Sequence, residues 1–386
     1  MNAKDMLFAI LRSQICEAEL DKEIFDSFDE KAQVDLYRLS LAHDLAHIVA
    51  NELLNLGIAL NEKISAAFKK QQMIAIFRYE KLKKDLNDAC DALEEAGIGY
   101  TPLKGSVLRN YYNEPWMRTS CDVDILVSEN DLEAARRVLA EKLGCEDNGK
   151  SSHDVLMHSP SGMHIELHYT LTEVHNLKGA KDILENYGEY LYPADGSRLD
   201  MSDELFYFYH MDHMAKHFQN GGCGIKPIMD LWVLENKVPH DREKRKELLK
   251  KGGLLTFASN AEELMRVWFE NKEHDDVTKL MEEYLLGGGV YGTLENRVAV
   301  QQNKQGGKFR YAISRIFLKY DQLKYAYPIL EKHKWLFPFM QVARWFRLVF
   351  KGRFKSSVNE LKLNSNMNDE LSNKTRLLLE RLEISE

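Results

Sequence analysis

The sequence has few cysteines and lacks long apolar runs. Five cysteines occur among 386 residues, an odd number, scattered and without a Cys-x-x-Cys pair. Neither a disulfide framework nor a zinc site of paired cysteines is therefore indicated. No segment reaches bilayer length without charge, and the apolar run over residues 6–11 is too short for a secretion signal. We expect a cytoplasmic protein with reduced thiols and no membrane span.

An excess of positive charge is also lacking. The formal net charge is −8 at neutral pH. Proteins that bind nucleic acid generally draw affinity from lysines and arginines that neutralise phosphates. We therefore expect no stable nucleic-acid binding, with a local basic groove as the remaining alternative. The chain is 44% hydrophobic, which is enough to bury one or more sizeable cores.

Glycine and proline are nearly absent from residues 3–96, where apolar residues recur at helical spacing. Strand-like alternation follows this stretch, and helical spacing returns from about residue 202. We predict an N-terminal helical region over residues 1–96, an α/β core over 97–200 and a C-terminal helical domain over 201–386. The predicted fold class is α+β, with a small mixed sheet flanked by helical regions.

Two aspartates open a buried strand in the predicted core. The apolar run after Asp124, which ends at Val127, indicates a buried strand, and the period of a strand puts Asp122 and Asp124 on one face. Carboxylates this close repel each other, and a bound cation relieves the repulsion. A solvated strand start is the alternative for this pair taken alone.

A third acidic residue lies on a second alternating strand. Residues 163–169 put His164, Glu166 and His168 on one face, and a turn over residues 159–162 pairs this strand with residues 153–158. If the hairpin lies beside the aspartate strand, Glu166 completes a three-carboxylate cluster that can hold Mg²⁺ or Mn²⁺. A transition-metal site using the histidines is the alternative, and we favour a histidine that orients Glu166.

A Gly-Ser turn precedes the aspartates. Gly105 and Ser106 begin a short predicted helix, whose first amides suit a phosphate, and Lys104 adds a compact positive charge. A surface lysine is the equal alternative for Lys104. Arg118 lies four residues before Asp122 and could clamp phosphate oxygens or pair with that aspartate.

Two further segments have alternative interpretations. His210, His213 and His217, with Asp230, either face a cleft or pack between helices with hydrogen bonds to Asp230, and we favour packing. The aromatic and basic segment over residues 335–351 either lies on an anionic membrane, contacts a partner or packs as an amphipathic helix in the core. We favour the core.

These motifs resemble one known family. The Lys104–Ser106 turn, Arg118, the Asp122–Val127 strand and the segment Ile165–His168 are similar to the uncharacterised nucleotidyltransferase family of the DNA polymerase β-like superfamily. The resemblance covers roughly residues 95–175. It implies a nucleotidyltransferase core in which the Gly-Ser turn grips a triphosphate. Asp122, Asp124 and Glu166 would then be the catalytic and metal-binding residues.

The resemblance also implies an activity. We expect a Mg²⁺-dependent enzyme, with Mn²⁺ as a substitute, that transfers a nucleoside monophosphate from an NTP to an unidentified hydroxyl of a small molecule or protein. Lys104, Gly105, Ser106, Arg118, His168 and His217 would contact the nucleotide. The main alternative is a nucleotide-binding regulatory or partner module with little turnover. A metal-dependent hydrolase that uses the histidines ranks last, because its ligands lack compact spacing.

Overall fold

The computed structural model describes residues 1–173, 177–350 and 354–385. In these ranges the strands are β1 Tyr100–Pro102, β2 Asp122–Val127, β3 Glu146–Lys150, β4 Asp154–His158, β5 His164–His168, β6 Leu191–Pro193 and β7 Leu199–Met201. The α-helices are α1 Ala3–Cys16, α2 Glu30–Ala42, α3 Ala46–Asn55, α4 Glu62–Glu95, α5 Gly105–Leu108, α6 Leu132–Leu143, α7 Lys178–Glu185, α8 Asp203–Phe218, α9 Lys226–Asn236, α10 Arg242–Gly252, α11 Leu255–Glu270, α12 Asp276–Leu286, α13 Leu294–Gln305, α14 Lys308–Ile316, α15 Tyr320–Ala326, α16 Ile329–Lys332, α17 Phe337–Phe350, α18 Phe354–Asn366 and α19 Asp369–Arg381.

A five-stranded mixed sheet forms the centre of the fold. Its strand order is β1-β2-β5-β4-β3, with β2 and β5 parallel and the other neighbours antiparallel. The predicted hairpin is therefore β4–β5, and it lies beside the aspartate strand. In the parallel register Asp124 is opposite Glu166. The α+β prediction is confirmed.

The two faces of the sheet have different partners. Val123 and Ile125 of β2 and Leu167 of β5 are buried in a core with α4 and α6. Because side chains alternate along a strand, Asp122 and Asp124 project from the opposite face. The sequence pattern thus buries one face and leaves carboxylates on the other.

A larger core joins helices from both ends of the chain. It contains Leu7 of α1, Ile48 of α3, Phe208 of α8, Phe257 of α11 and Leu378 of α19, among others. Apolar burial on this scale is the main stabilising term of the fold. The division at residues 96 and 200 stays a prediction.

Two observations concern the remaining helical expectations. The segment over residues 335–351 was expected in the core, and this expectation is wrong: Phe339, Phe346 and Phe350 are exposed. In the described ranges, no helix combines the length and apolar character needed to cross a bilayer.

Candidate active site

The polar face of the sheet carries a compact charge cluster. Lys104 Nζ lies 2.9 Å from Asp124 Oδ1, and His168 Nε2 lies 3.0 Å from the same oxygen. Glu166 Oε2 lies 3.5 Å from His168 Nε2 and 4.0 Å from Lys104 Nζ. The parallel pairing of β2 with β5 therefore brings Glu166, distant in the chain, to Asp124.

The aspartates of β2 have opposite electrostatic environments. Burial raises the pKa of Asp122 to about 6, and the charges of Asp124 and Glu166 add to this rise. Burial also opposes ionisation of Asp124, but Lys104 and His168 outweigh it and hold the pKa of Asp124 far below its usual range. The cluster is therefore a site of excess negative charge around Asp122, which favours a bound cation.

Three side chains of the cluster are close enough to share one ion. Ligand atoms of Asp124, Glu166 and His168 all lie within 4.8 Å of one another. Asp122 is not in this group, so the predicted set of three carboxylates is only partly brought together. A second group, His153 and Asp154 with His168, satisfies the same distance. Carboxylate oxygens suit Mg²⁺ or Mn²⁺, and imidazole suits transition metals.

His168 has a central position in the cluster. It is 1% exposed, and its Nδ1 is buried without a hydrogen-bond partner. Burial and the charge of Lys104 act to lower the pKa of His168, but its hydrogen bonds to Asp124 and Glu166 raise it overall. His164, in contrast, lies at the exposed start of β5 with its ring against His158. The two histidines of β5 therefore do not converge on one site, which agrees with the orienting interpretation.

The backbone at Lys104 is strained. Its φ of 46° and ψ of −120° lie outside the regions that non-glycine residues favour, and such strain concentrates at functional sites. Burial opposes the charge on Lys104, but Asp124 and Glu166 raise its pKa above the usual value. Lys104 is therefore a partly buried partner of the carboxylates and not a surface lysine.

Gly105 and Ser106 of the Gly-Ser turn have different surroundings. Gly105 lies close to Ser120, since a Cβ added there would be 3.4 Å from Ser120 Cβ. The amide of Ser106 donates to the Leu103 carbonyl, and its Oγ is buried without a partner. Ser106 lines a cavity beside α4, whereas Lys104 and Asp122 line another. The Ser106 hydroxyl is thus not placed among the carboxylates.

Arg109, which sequence reasoning missed, ties this turn to β2. Its Nε donates to the Gly105 carbonyl at 2.7 Å, and its Nη2 donates to Ser120 Oγ at 2.7 Å. Ser120 Oγ in turn donates to the Asp122 carbonyl at 3.2 Å. Burial lowers the pKa of Arg109 to about 10. The available signal was an arginine four residues after Gly105, one helical turn away.

Arg118 does not pair with Asp122. Its Nε donates to both oxygens of Asp230, at 2.7 and 2.9 Å, and Tyr112 Oη donates to Asp230 at 2.7 Å. Asp230 is fully buried. His210, expected to bond to Asp230 if packed, instead contacts the Pro227 carbonyl at 3.0 Å. The partner of Asp230 is thus the arginine, because only a cation offsets a carboxylate buried this deeply.

A second ion pair fastens the segment before β2. Lys226 Nζ of α9 lies 2.8 Å from Asp44 Oδ2, and Thr119 Oγ1 donates to the same oxygen at 2.7 Å. Sequence reasoning singled out none of these residues. Together with Arg118, they hold the approach to the aspartates against α9 and the turn between α2 and α3.

Helix α8 carries a pair of histidines beside the cluster. His213 Nε2 and His217 Nε2 are 3.0 Å apart, and His213 Nδ1 is buried without a partner. Burial, with the nearby charges of Lys216 and Lys104, lowers the pKa of His217 to about 4. Burial and Lys104 also lower the pKa of Lys216 to about 8, and Lys216 forms an ion pair with Glu173. At neutral pH the imidazole of His217 is therefore uncharged.

A cavity of about 330 Å³ lies between the polar face of the sheet, α8 and α9. Its lining carries four cationic side chains and three carboxylates, namely Arg78, Lys104, Arg118, Lys226, Asp44, Asp122 and Asp230. Arg118 pairs with Asp230 and Lys226 with Asp44. His210, His213 and His217 also line it. A polyanion accompanied by a cation suits this distribution of charge.

Comparison with known proteins adds a family. The family model described as "Uncharacterised nucleotidyltransferase" matches residues 29–270. No curated protein matches the chain. A solved structure, the solution structure of the antibiotic-resistance factor ANT(2'')-Ia, is similar over 50% of this chain and 93% of its own length, with 11% identity and a TM-score of 0.26.

Proposed function

Since this chain belongs to the uncharacterised nucleotidyltransferase family, we propose that it transfers a nucleoside monophosphate from an NTP to a hydroxyl acceptor. One observation supports this most: Asp124 and Glu166 lie opposite each other on parallel strands, with Lys104 reaching both. That arrangement adjoins a cavity lined by four cationic side chains and three carboxylates. The acceptor is a hydroxyl of a small molecule or of a protein.

The carboxylates are proposed to hold the metal. Asp122, Asp124 and Glu166 supply hard oxygens on one face. Burial, and then the charges of Asp124 and Glu166, raise the pKa of Asp122, and a bound divalent cation would favour its ionised form. Bound Mg²⁺ or Mn²⁺ would neutralise charge on the triphosphate and lower the pKa of the acceptor hydroxyl. His168 orients Asp124 and Glu166 through its contacts with both.

The cations of the cavity are proposed to hold the triphosphate. Lys104 offers a point charge, and Arg118 presents a guanidinium whose plane Asp230 fixes. Gly105 is proposed to contribute through the backbone of the turn, whereas the Ser106 hydroxyl, which lines the cavity beside α4, is not part of the proposed triphosphate site. His217, uncharged at neutral pH, is suited to hydrogen-bond the base, ribose or acceptor.

The transfer balances as an in-line displacement. The acceptor hydroxyl oxygen attacks the α-phosphorus, and a new phosphorus–oxygen bond forms. The bond from the α-phosphorus to the bridging oxygen breaks, and pyrophosphate leaves. Glu166, which is partly exposed beside the cluster, accepts the proton of the hydroxyl.

One observation favours a second function, a nucleotide-binding module with little turnover. Lys104 Nζ already bonds to Asp124 at 2.9 Å and neutralises part of the charge that a metal would meet. A chain of this kind would bind NTP without releasing pyrophosphate. Cytoplasmic location and the lack of stable nucleic-acid binding stay predictions.

The test is pyrophosphate release by purified protein with labelled NTPs, Mg²⁺ or Mn²⁺, and hydroxyl acceptors. We expect release and label transfer by the wild type, and a loss of about a hundredfold or more in the Asp124→Ala variant. Asp195→Ala changes an exposed aspartate outside the site and should retain full activity. Equal release by wild type and Asp124→Ala contradicts the proposal. NTP binding without any release supports the second function.

A further inference from the structure

Helix α17 exposes its apolar face to solvent. Trp335, just before the helix, and Phe339, Val342, Phe346 and Phe350 are 69%, 61%, 46%, 61% and 83% exposed. At 3.6 residues per turn, these five positions fall within an arc of about 80°. A stripe of this kind normally packs against a core, and here it faces solvent.

The opposite face of α17 is the one that packs. Gln341 Nε2 donates to the Leu318 carbonyl at 2.6 Å, and Trp345 Nε1 donates to the Ile316 carbonyl at 3.0 Å. Arg344 Nη1 donates to the Ile316 carbonyl as well, at 3.1 Å. These bonds fasten the helix through its more polar side and leave its apolar stripe outward.

The neighbouring helix α14 repeats the pattern. Phe309, Ile313 and Ile316 recur at helical spacing and are exposed, whereas Tyr311 between them is buried. The carbonyl of Ile316 accepts the bonds from α17, so the two helices adjoin. We call the apolar stripes of these adjoining helices, α14 and α17, the aromatic surface.

The charge around the aromatic surface opposes that of the rest of the protein. Residues 304–350 contain ten lysines and arginines and two acidic residues, a formal net charge of +8, whereas the whole chain carries −8. Lys308 and Arg315 of this segment form ion pairs with Asp369 and Glu360 outside it, and the segment stays basic after these pairs are counted. Exposed aromatic and aliphatic side chains flanked by exposed basic ones, here Lys334 and Arg347, are a pattern of interfacial membrane binding. Each basic side chain near an anionic lipid surface adds favourable energy.

We propose that the aromatic surface docks on an anionic lipid membrane, with the apolar stripes at the headgroup boundary and the basic residues on anionic headgroups. A second copy of the chain fits less well, because it would bring two basic segments together and like charges repel each other. A nucleic acid also fits less well, since the exposed stripe of α17 is wholly apolar, whereas a site for single-stranded nucleic acid combines rings with cationic side chains that follow the phosphates.

The test is sedimentation of the full-length protein with vesicles. One vesicle is phosphatidylcholine alone, and the other contains about one third phosphatidylglycerol. We expect binding to the anionic vesicle at low salt, at least about tenfold stronger than to the neutral one, and weaker binding as salt rises. The emission of Trp335 should shift to shorter wavelength on binding, and Trp335→Phe should reduce the shift.

Paired variants separate the contributions of aromatic and basic residues. Phe339→Ser with Phe346→Ser should weaken binding at least about tenfold, whereas Phe77→Ser, which changes an equally exposed phenylalanine of α4, should not. Lys334→Gln with Arg347→Gln should weaken it about thirtyfold. Lys69→Gln with Lys70→Gln is the matched control, since both lysines are exposed on α4.

Several results would overturn the proposal. These are no binding to the anionic vesicle at low salt, equal binding to both vesicles, or equal losses in the control variants. Self-association that Phe339→Ser abolishes would assign the surface to a second copy. Binding of RNA or DNA in preference to the anionic vesicle would assign it to a nucleic acid. Unchanged circular dichroism and thermal unfolding show that each variant is folded.

Discussion

The buried pair of Arg118 and Asp230 allows a prediction that needs no ligand. Arg118→Met removes the cation and leaves Asp230, fully buried, with Tyr112 as its remaining hydrogen-bond donor. At 2.7 Å and an effective dielectric constant of about 20, the lost attraction is about 6 kcal/mol, which desolvation of the two charges partly offsets. We expect the free energy of unfolding to fall by about 3–5 kcal/mol.

The assay is urea unfolding of wild type, Arg118→Met, Asp230→Leu and the double variant. The double variant should recover most of the loss, because no unpaired charge stays buried. Arg136→Met is the matched control, since this arginine pairs with Glu133 and Asp147 near the surface. It should cost less than about 1 kcal/mol.

The pH dependence of the free energy of unfolding tests the same ion pair. Burial raises the pKa of Asp230, but Arg118, with His210 and Tyr112, outweighs it and holds that pKa below its usual value. The wild type therefore loses stability when the pH falls through this low pKa. Without Arg118, burial raises the pKa, so the variant should regain stability relative to wild type as pH falls towards about 5. A loss below about 1 kcal/mol, independent of pH, would refute the reasoning.

Three further predictions concern the site. Asp122 has a raised pKa of about 6, so its ionised form destabilises the metal-free fold, and this destabilisation grows from about pH 4 until it is complete above about pH 6. Asp122→Asn should stabilise the protein at about pH 8 by roughly 2–3 kcal/mol and little at about pH 3.5, measured by thermal unfolding. An equal effect at both values would contradict this. Arg109→Met removes the hydrogen bonds to Gly105 and Ser120 and should weaken NTP binding, measured by calorimetry, about tenfold or more. Arg137→Met, which changes an exposed arginine, is the control. Unchanged affinity in Arg109→Met would argue that Arg109 does not position the turn for the nucleotide. Cys121 is the exposed cysteine among the five and lines the cavity, so a maleimide should modify it first. Bound Mg²⁺ and NTP should slow this modification, which mass spectrometry can follow. Modification at an unchanged rate would place the nucleotide elsewhere.

Local patterns predicted the three central strands of the sheet. The apolar run marked β2, alternation marked β5, and the turn after His158 marked the hairpin, because these patterns can be read from a few residues. The edge strand β3 was not predicted, because Glu146–Lys150 is exposed and has no apolar pattern. The pairing of Asp124 with Glu166 followed once the hairpin lay beside β2. These features depend on neighbours in sequence and on one parallel pairing.

Long-range partners could not be predicted in the same way. Arg118 bonds to Asp230, 112 residues away, whereas sequence proximity favoured Asp122. The route of α9 past the aspartate strand decides this pairing, and no local pattern encodes it. The position of the Ser106 hydroxyl, which lines the cavity beside α4, could not be predicted either. The strained turn at Lys104 sets the direction of the following helix, and the sequence does not reveal that turn.

The amphipathic pattern of α17 predicted the helix but not its environment. An apolar stripe specifies that a face will be covered and does not specify what covers it. The expectation of core packing failed because Gln341, Arg344 and Trp345 supply the contacts that hold the helix.

The most direct test of the central claim is a crystal structure of the protein with Mn²⁺ and a non-hydrolysable NTP. The account predicts anomalous density for Mn²⁺ within about 2.3 Å of carboxylate oxygens of Asp122, Asp124 and Glu166, with the triphosphate in the cavity that Lys104 and Arg118 line. Mn²⁺ at His153 and Asp154 instead, or a nucleotide bound away from this cavity, would contradict it.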